Sequence, residues 1–177
     1  LIDKPQRGRL VLGGQDITRA WGGRLRALRR ELQFVGGDPR RTLSPRLTVQ
    51  SILAEPLQVH WLGSPAEQRQ RIAATFAEWD LNPYLLHLRP EAFSTTVCLR
   101  IALARAHILQ PRLVVADGLT ERLEPAATRA LLASVRATYR ATHTAWLWTT
   151  ADVDLAAAFA DRTYVIENQG LKLVYGD

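Results

Sequence analysis

Methionine is absent from the 177 residues, and cysteine occurs once, as Cys98. A single cysteine cannot form a disulfide within the chain, and no cysteine or histidine partner lies near it in the sequence. We therefore expect it to be buried as a small apolar residue. The four histidines lie too far apart for metal-ligand spacing, so we expect surface or packing roles for them.

Long apolar runs are also missing. No stretch of eighteen apolar residues occurs, so no membrane-spanning helix is predicted, and the first residues do not resemble a signal peptide. We expect a cytoplasmic protein, and because position 1 is leucine we expect the natural chain to begin further upstream. With 47% hydrophobic residues, the chain can bury one core, which predicts one domain with room for a subdomain.

Lysine is scarce, since Lys4 and Lys172 are the only two, and the formal net charge of +6 comes from arginine. The arginines concentrate in residues 24–30 and 40–46. Such segments can bind phosphate backbones or acidic proteins, but more often they form a solvated helix face. We favour the solvated face and expect nucleic acid not to be a partner. A basic binding module for nucleic acid or an acidic protein is kept as an alternative.

Strand and helix patterns alternate at both ends of the chain, whereas the middle is helical. The capping box Ser64-Pro65-Ala66-Glu67 predicts a helix start in the middle, and Asn168-Gln169-Gly170 predicts the turn of a closing hairpin. Trp21, in front of two glycines, is expected to pack within a loop. The pattern indicates an α/β core, formed by residues 1–39 and 111–177, with a helical subdomain from about residue 40 to about residue 110.

The most informative stretch is the apolar strand at residues 113–116 and the pair Asp117-Gly118 that ends it. Open α/β sheets bind ligands at the carboxyl ends of their strands, so a carboxylate there is a natural magnesium ligand. Enzymes of this design that hydrolyse phosphates use a second acid to orient the attacking water, and Gly118 has no side chain for that task. The strand therefore predicts a nucleotide site without its catalytic acid.

Several different short motifs follow one another along most of the chain, and their order is distinctive. They occupy residues 8–17, 28–30, 38–39, 43–49, 52–57, 93–94, 100–106, 113–117 and 161–162. In this order they resemble the ATP-binding subunits of ABC transporters, most closely those of the peptide, dipeptide and nickel importers. Residues 43–49 resemble the Q-loop neighbourhood of the peptide importers, and residues 113–117 resemble the Walker B strand.

The resemblance implies a fold, a cofactor and partners. The fold would be α/β, with a truncated RecA-like core of the P-loop NTPase type and an inserted α-helical subdomain. The cofactors would be ATP and Mg²⁺, and the partners would be transmembrane permease subunits and a second ATP-binding subunit. The protein would lie in the cytoplasm, peripheral at the inner face of the cell membrane.

Several positions depart from the family's motifs. The phosphate loop would precede Leu1, and neither lysine is followed by Ser or Thr, so the given chain contains no Walker A motif. At the positions of the Q-loop glutamine, the catalytic glutamate and the switch histidine, the chain has Gly37, Gly118 and Ala151. Where the family signature reads Ser-Gly-Gly-Gln, this chain reads Ser94-Thr95-Thr96-Val97, and β-branched threonines hinder close approach to a phosphate.

Two residues remain candidates for contact with a nucleotide. Asp117 could hold magnesium, although a strand-end aspartate more often caps a turn, and Ser94 could contact phosphate, although a serine before a helix is usually its N-cap. We expect a subunit of peptide or nickel importer type that cannot hydrolyse ATP itself, either a structural subunit or a remnant. An active transporter ATPase with its phosphate loop upstream is a further alternative. Truncation does not account for the departures inside the given chain, which are Gly37, Thr95, Thr96, Gly118 and Ala151.

Overall fold

The computed structural model describes residues 5–36, 38–121 and 123–176, and it consists of short strands and longer helices. In chain order these are β1 (Val11–Leu12), β2 (Gln15–Asp16), α1 (Gly22–Glu31), β3 (Leu32–Gly36), α2 (Pro39–Thr42), α3 (Val49–Val59), α4 (Pro65–Glu78), α5 (Thr95–His107), β4 (Leu113–Asp117), α6 (Pro125–Thr142), β5 (Ala145–Thr149), α7 (Val153–Phe159), β6 (Thr163–Glu167) and β7 (Gly170–Tyr175). Two 3-10 helices, Pro83–His87 and Pro90–Ala92, lie between α4 and α5.

A parallel sheet in the order β3-β4-β5 forms the centre of the molecule. Leu113 is in register with Leu32 on one side and with Ala145 on the other, so the three strands begin together. Parallel neighbours need a crossover connection. The helical segment α2–α5 makes this connection from β3 to β4, and α6 makes it from β4 to β5.

The helices of the middle segment begin where local capping signals predict. The Ser64 backbone N–H donates to the Glu67 carboxylate at 2.6 Å, and the Glu67 N–H donates to Ser64 Oγ at 3.4 Å. This reciprocal pair confirms the predicted capping box at the start of α4. The Thr48 hydroxyl caps α3 in the same way, by accepting from the Ser51 N–H.

One hydrophobic core joins the helical segment to the sheet. Its buried members come from both regions and include Ile52, Leu53, Phe76, Leu103, Val114 and Leu131. Because these side chains pack in one cluster, helices α3–α5 and the sheet depend on the same buried contacts. The division into an α/β core and a helical subdomain remains an interpretation of the chain's connectivity.

Cys98 and His107 are buried, whereas Trp21 is exposed to solvent. Cys98 is fully buried, as expected, and burial raises the pKa of its thiol. His107 packs edge-on against Trp79, with ring centroids 6.1 Å apart, and burial lowers the pKa of its imidazole. The expectation for Trp21 is wrong, because its side chain is 80% exposed beside the first turn of α1.

The chain closes in the predicted antiparallel hairpin of β6 and β7. Its turn residues Asn168 and Gln169 have φ values of 48° and 64°, in the left-handed region that such tight turns require. Among residues 5–36, 38–121 and 123–176, no helix combines the length and apolar character needed to span a bilayer.

Candidate functional site

The carboxyl ends of β3, β4 and β5 lie side by side. Gly36 is in register with Asp117, and Asp117 is in register with Thr149. Because the strands are parallel, the loops that follow them leave from the same edge of the sheet, where ligands of such sheets bind. The residues Gly36, Asp117 and Thr149 define this carboxyl edge.

Asp117 takes part in a short hydrogen-bonded chain along the carboxyl edge. The Thr149 hydroxyl donates to Asp117 Oδ1 at 2.5 Å and accepts from the Gly118 N–H at 3.2 Å. This hydroxyl therefore fixes the Asp117 carboxylate and holds the turn after β4 against β5. Thr149 is a site residue that the sequence reasoning missed, since no local motif marks it.

The donors at the carboxyl edge suit a hard cation. Asp117 is exposed, and its carboxylate and the Thr149 hydroxyl are oxygen ligands of the kind that Mg²⁺ prefers. Within the described part of the chain, no group of three His, Cys, Asp or Glu side chains is placed to hold a metal. Magnesium bound through one carboxylate normally completes its coordination with water and phosphate oxygens, so Asp117 fits a magnesium ion that arrives with a nucleotide.

Gly118 follows Asp117 in a left-handed turn with a φ of +60°. The turn is closed by the Glu121 N–H, which donates to the Gly118 carbonyl at 3.4 Å. A Cβ atom at position 118 would lie 3.3 Å from one carboxylate oxygen of Glu121 and 3.4 Å from the other. Glycine is therefore suited to this turn, and a glutamate there would meet both backbone strain and a second carboxylate.

Ala151 lies two residues beyond β5 and is exposed. The side chains on either side of it form hydrogen bonds with nearby backbone N–H groups. Thr150 Oγ1 accepts from the Asp152 N–H at 3.1 Å, and Asp152 Oδ1 accepts from the Leu155 N–H at 2.9 Å. The methyl group of Ala151 can neither donate nor accept a proton. Gly37, the predicted replacement of the Q-loop glutamine, lies outside the described residues.

Ser94 is the N-cap of α5, as the more common role of such a serine predicts. Its Oγ accepts from the Val97 N–H at 3.4 Å, and Thr95 and Thr96 are half-buried in the first helical turn. Phe93, which ends the preceding 3-10 helix, is anchored by Arg40, whose guanidinium donates to the Phe93 carbonyl at 2.9 Å. The hydroxyl of Ser94 is thus used within its own helix.

Comparisons with a family model, with curated proteins and with solved structures place the chain among known proteins. Residues 2–121 match the model of the family described as ABC transporter. The di/tripeptide transport ATP-binding protein DppF of Pseudomonas aeruginosa (strain UCBPP-PA14) is 37% identical over 124 residues, which cover 70% of this chain and 38% of that protein. The oligopeptide transport ATP-binding protein OppF of Escherichia coli (strain K12) is 36% identical over 115 residues, covering 64% and 34%.

The chain therefore spans little more than a third of the length of these curated relatives. Among solved structures, it resembles cbiO1 from Clostridium perfringens, described as part of the ABC transporter complex cbiONQ. The TM-score is 0.85 at 20% identity, over 97% of this chain and 67% of that one. This likeness confirms the predicted fold class, an α/β core of the P-loop NTPase type.

Proposed function

The chain belongs to the ABC transporter family, and from that premise we propose that it is an ATP-binding subunit of peptide importer type whose own site does not hydrolyse ATP. The observation that carries this proposal is the composition of the carboxyl edge and its turns. Asp117 is present there, but Gly118 contributes no carboxylate and Ala151 contributes no imidazole.

Hydrolysis needs groups that orient water and stabilise the charge that develops on the transferred phosphoryl group. Removing one such group typically lowers the rate by about a hundredfold or more. Magnesium, when bound with ATP, would neutralise phosphate charge. Among the described residues of the carboxyl edge, Asp117 can ligate the ion and Thr149 holds that carboxylate in place.

The proposed substrate class and partners rest on the relatives. Those described above are named for di/tripeptide and oligopeptide transport, so we favour peptides over nickel. We propose that transmembrane permease subunits and a second ATP-binding subunit are its partners, with helices α2–α5 facing the permease. Such an assembly would place the chain in the cytoplasm at the inner face of the membrane.

Release of phosphate from Mg-ATP tests the loss of hydrolysis. We expect the purified protein to release phosphate no faster than buffer, and Asp117→Asn to make no difference. The matched control is Asp154→Asn, which removes an exposed carboxylate of α7. Hydrolysis that persists in Asp154→Asn and disappears in Asp117→Asn would show an active ATPase and contradict the proposal.

Binding of a fluorescent ATP analogue, measured on the same samples, distinguishes a structural subunit that still binds nucleotide from a remnant that has lost the nucleotide site. A structural subunit that still binds nucleotide should hold the analogue more weakly after Asp117→Asn in the presence of magnesium. A remnant without a nucleotide site should not bind it at all.

A further inference from the structure

A cleft of about 500 Å³ lies at the end of the sheet opposite to the carboxyl edge. It is lined by residues of α1, by the turn after α3 and by the residues that lead into β4. Glu31 and Arg112 line it and directly precede β3 and β4, and the Arg112 N–H donates to the Glu31 carbonyl at 2.8 Å. The cleft is therefore separate from the edge where the family binds its nucleotide.

The cleft carries positive charge that its own acids do not neutralise. Arg26 and Arg30 stand one helical turn apart on α1, where like charges repel. The acid Glu31 pairs with Arg112 at 3.6 Å, and in the described residues no carboxylate forms an ion pair with Arg26 or Arg30. An anion bound in the cleft would relieve this repulsion.

His60 lines the same cleft, and the positive charges of Arg26 and Arg30 act on its imidazole. Partial burial lowers the pKa of His60, and the charges of Arg30 and Arg26 lower it further. With its pKa lowered, His60 adds little positive charge at neutral pH. Among the described residues that line the cleft, the cations are Arg26, Arg30 and Arg112.

Trp61 adds a flat aromatic surface to the cleft. It is 77% exposed, and the guanidinium of Arg26 lies 4.9 Å from the centre of its ring. Its φ of 52° is unusual for a bulky side chain at a helix end, where glycine is the common residue. The chain thus holds a large indole in water, next to arginines, at some cost in backbone strain.

We propose that this cleft binds single-stranded nucleic acid, with a base stacked on Trp61 and the adjoining phosphates held by Arg26 and Arg30. Stacking surfaces combined with a cationic groove are what single strands require. An acidic peptide without aromatic or apolar residues could pair with the arginines but has no group to stack on the indole, and a duplex offers no exposed base face. The arginines of α1 alone predict only a solvated helix face, and it is the position of Trp61 that changes this interpretation.

Fluorescence anisotropy with a labelled oligothymidylate of about ten nucleotides tests the proposal, because single-strand sites commonly cover such lengths. We expect Trp61→Ala to weaken binding by about tenfold or more, and Trp61→Phe, which keeps an aromatic face, to retain most of the affinity. Quenching of the wild-type tryptophan emission on binding should be reduced in Trp61→Phe. Circular dichroism verifies that each variant is folded.

The charge requirement is tested with the double variant Arg26→Ala/Arg30→Ala. Its matched control is Arg136→Ala/Arg140→Ala, which removes the same charge from exposed positions of α6. If each arginine contacts one phosphate, the first variant should make the negative slope of log affinity against log salt shallower by about 1.4, since each single-strand phosphate contributes about −0.7. The control should leave the slope unchanged.

Three results would overturn the proposal: equal losses in the two arginine variants, equal binding of a duplex of the same length, or equally effective competition by polyglutamate. The last result would identify an acidic protein as the ligand. Asp117→Asn should not alter oligothymidylate binding, so failure of this proposal and failure of the proposed transporter role can be told apart.

Discussion

At the scale of single residues, Gly118 and Thr149 determine how the carboxyl edge is built. The hydroxyl of Thr149 joins the turn after β4 to β5, and Gly118 gives that turn its left-handed backbone. Gly118, which we propose to stand at the position of the family's catalytic acid, therefore contributes a left-handed turn and no carboxylate. A glutamate at this position would meet the strain of that backbone conformation.

Substitution of Gly118 should reveal this conformational role. We expect Gly118→Ala to lower the free energy of unfolding by about 1–2 kcal/mol, because a Cβ atom disfavours the left-handed region. Gly118→Asn should lower it less, since asparagine tolerates that region. Chemical denaturation measures both, and equal stability of the alanine variant and the wild type would contradict the prediction.

Gly23 provides the matched control. It lies in α1, its φ is not in the left-handed region, and a Cβ atom there would meet open space. Gly23→Ala should therefore stabilise the protein by about 0.5 kcal/mol, through the reduced freedom of the unfolded chain.

At the scale of secondary-structure elements, α5 begins directly after Ser94, a candidate for phosphate contact whose hydroxyl caps the helix. The helix is almost entirely buried, and its first turn is closed by the Ser94 hydroxyl. Any phosphate contact by Ser94 would have to compete with that bond.

The cap of α5 predicts a specific pattern of stability. Ser94→Ala should lower the free energy of unfolding by about 1 kcal/mol, whereas Ser94→Asp should preserve it, because aspartate accepts the same bond and favours a helix N-terminus. Ser134→Ala is the control within a helix, since the Ser134 hydroxyl donates to the Ala130 carbonyl in α6 and alanine is a better helix former. Denaturation curves in which Ser94→Ala matches the wild type would refute a capping role.

The elements also show what a sequence can and cannot predict. The starts of α3, α4 and α5 were predictable because each cap bond joins residues three positions apart. The Thr149–Asp117 bond joins residues 32 positions apart, and it depends on the register of two strands. The contact of Arg26 with Trp61 likewise requires α1 and the end of α3 to meet, so neither site was visible from local patterns.

At the scale of the whole molecule, one core underlies both the sheet and the helical segment. Leu103 of α5 is fully buried in that core, together with Leu53 of α3 and Val114 of β4. Although the connectivity suggests an inserted subdomain, we expect the two regions to unfold together. The distinction between core and subdomain would then be topological and not energetic.

Leu103→Ala tests this expectation, because truncating a buried leucine lowers the free energy of unfolding by about 2–5 kcal/mol. If the core is shared, amide hydrogen exchange should accelerate in α3 and in β4 by the same factor, since both regions open only on global unfolding. Leu171→Ala, at a residue that is 72% exposed, should change exchange in neither region. Faster exchange in α3 with β4 unchanged would instead show that the helical segment opens by itself, and residues 40–110 would then be a subdomain in the energetic sense as well.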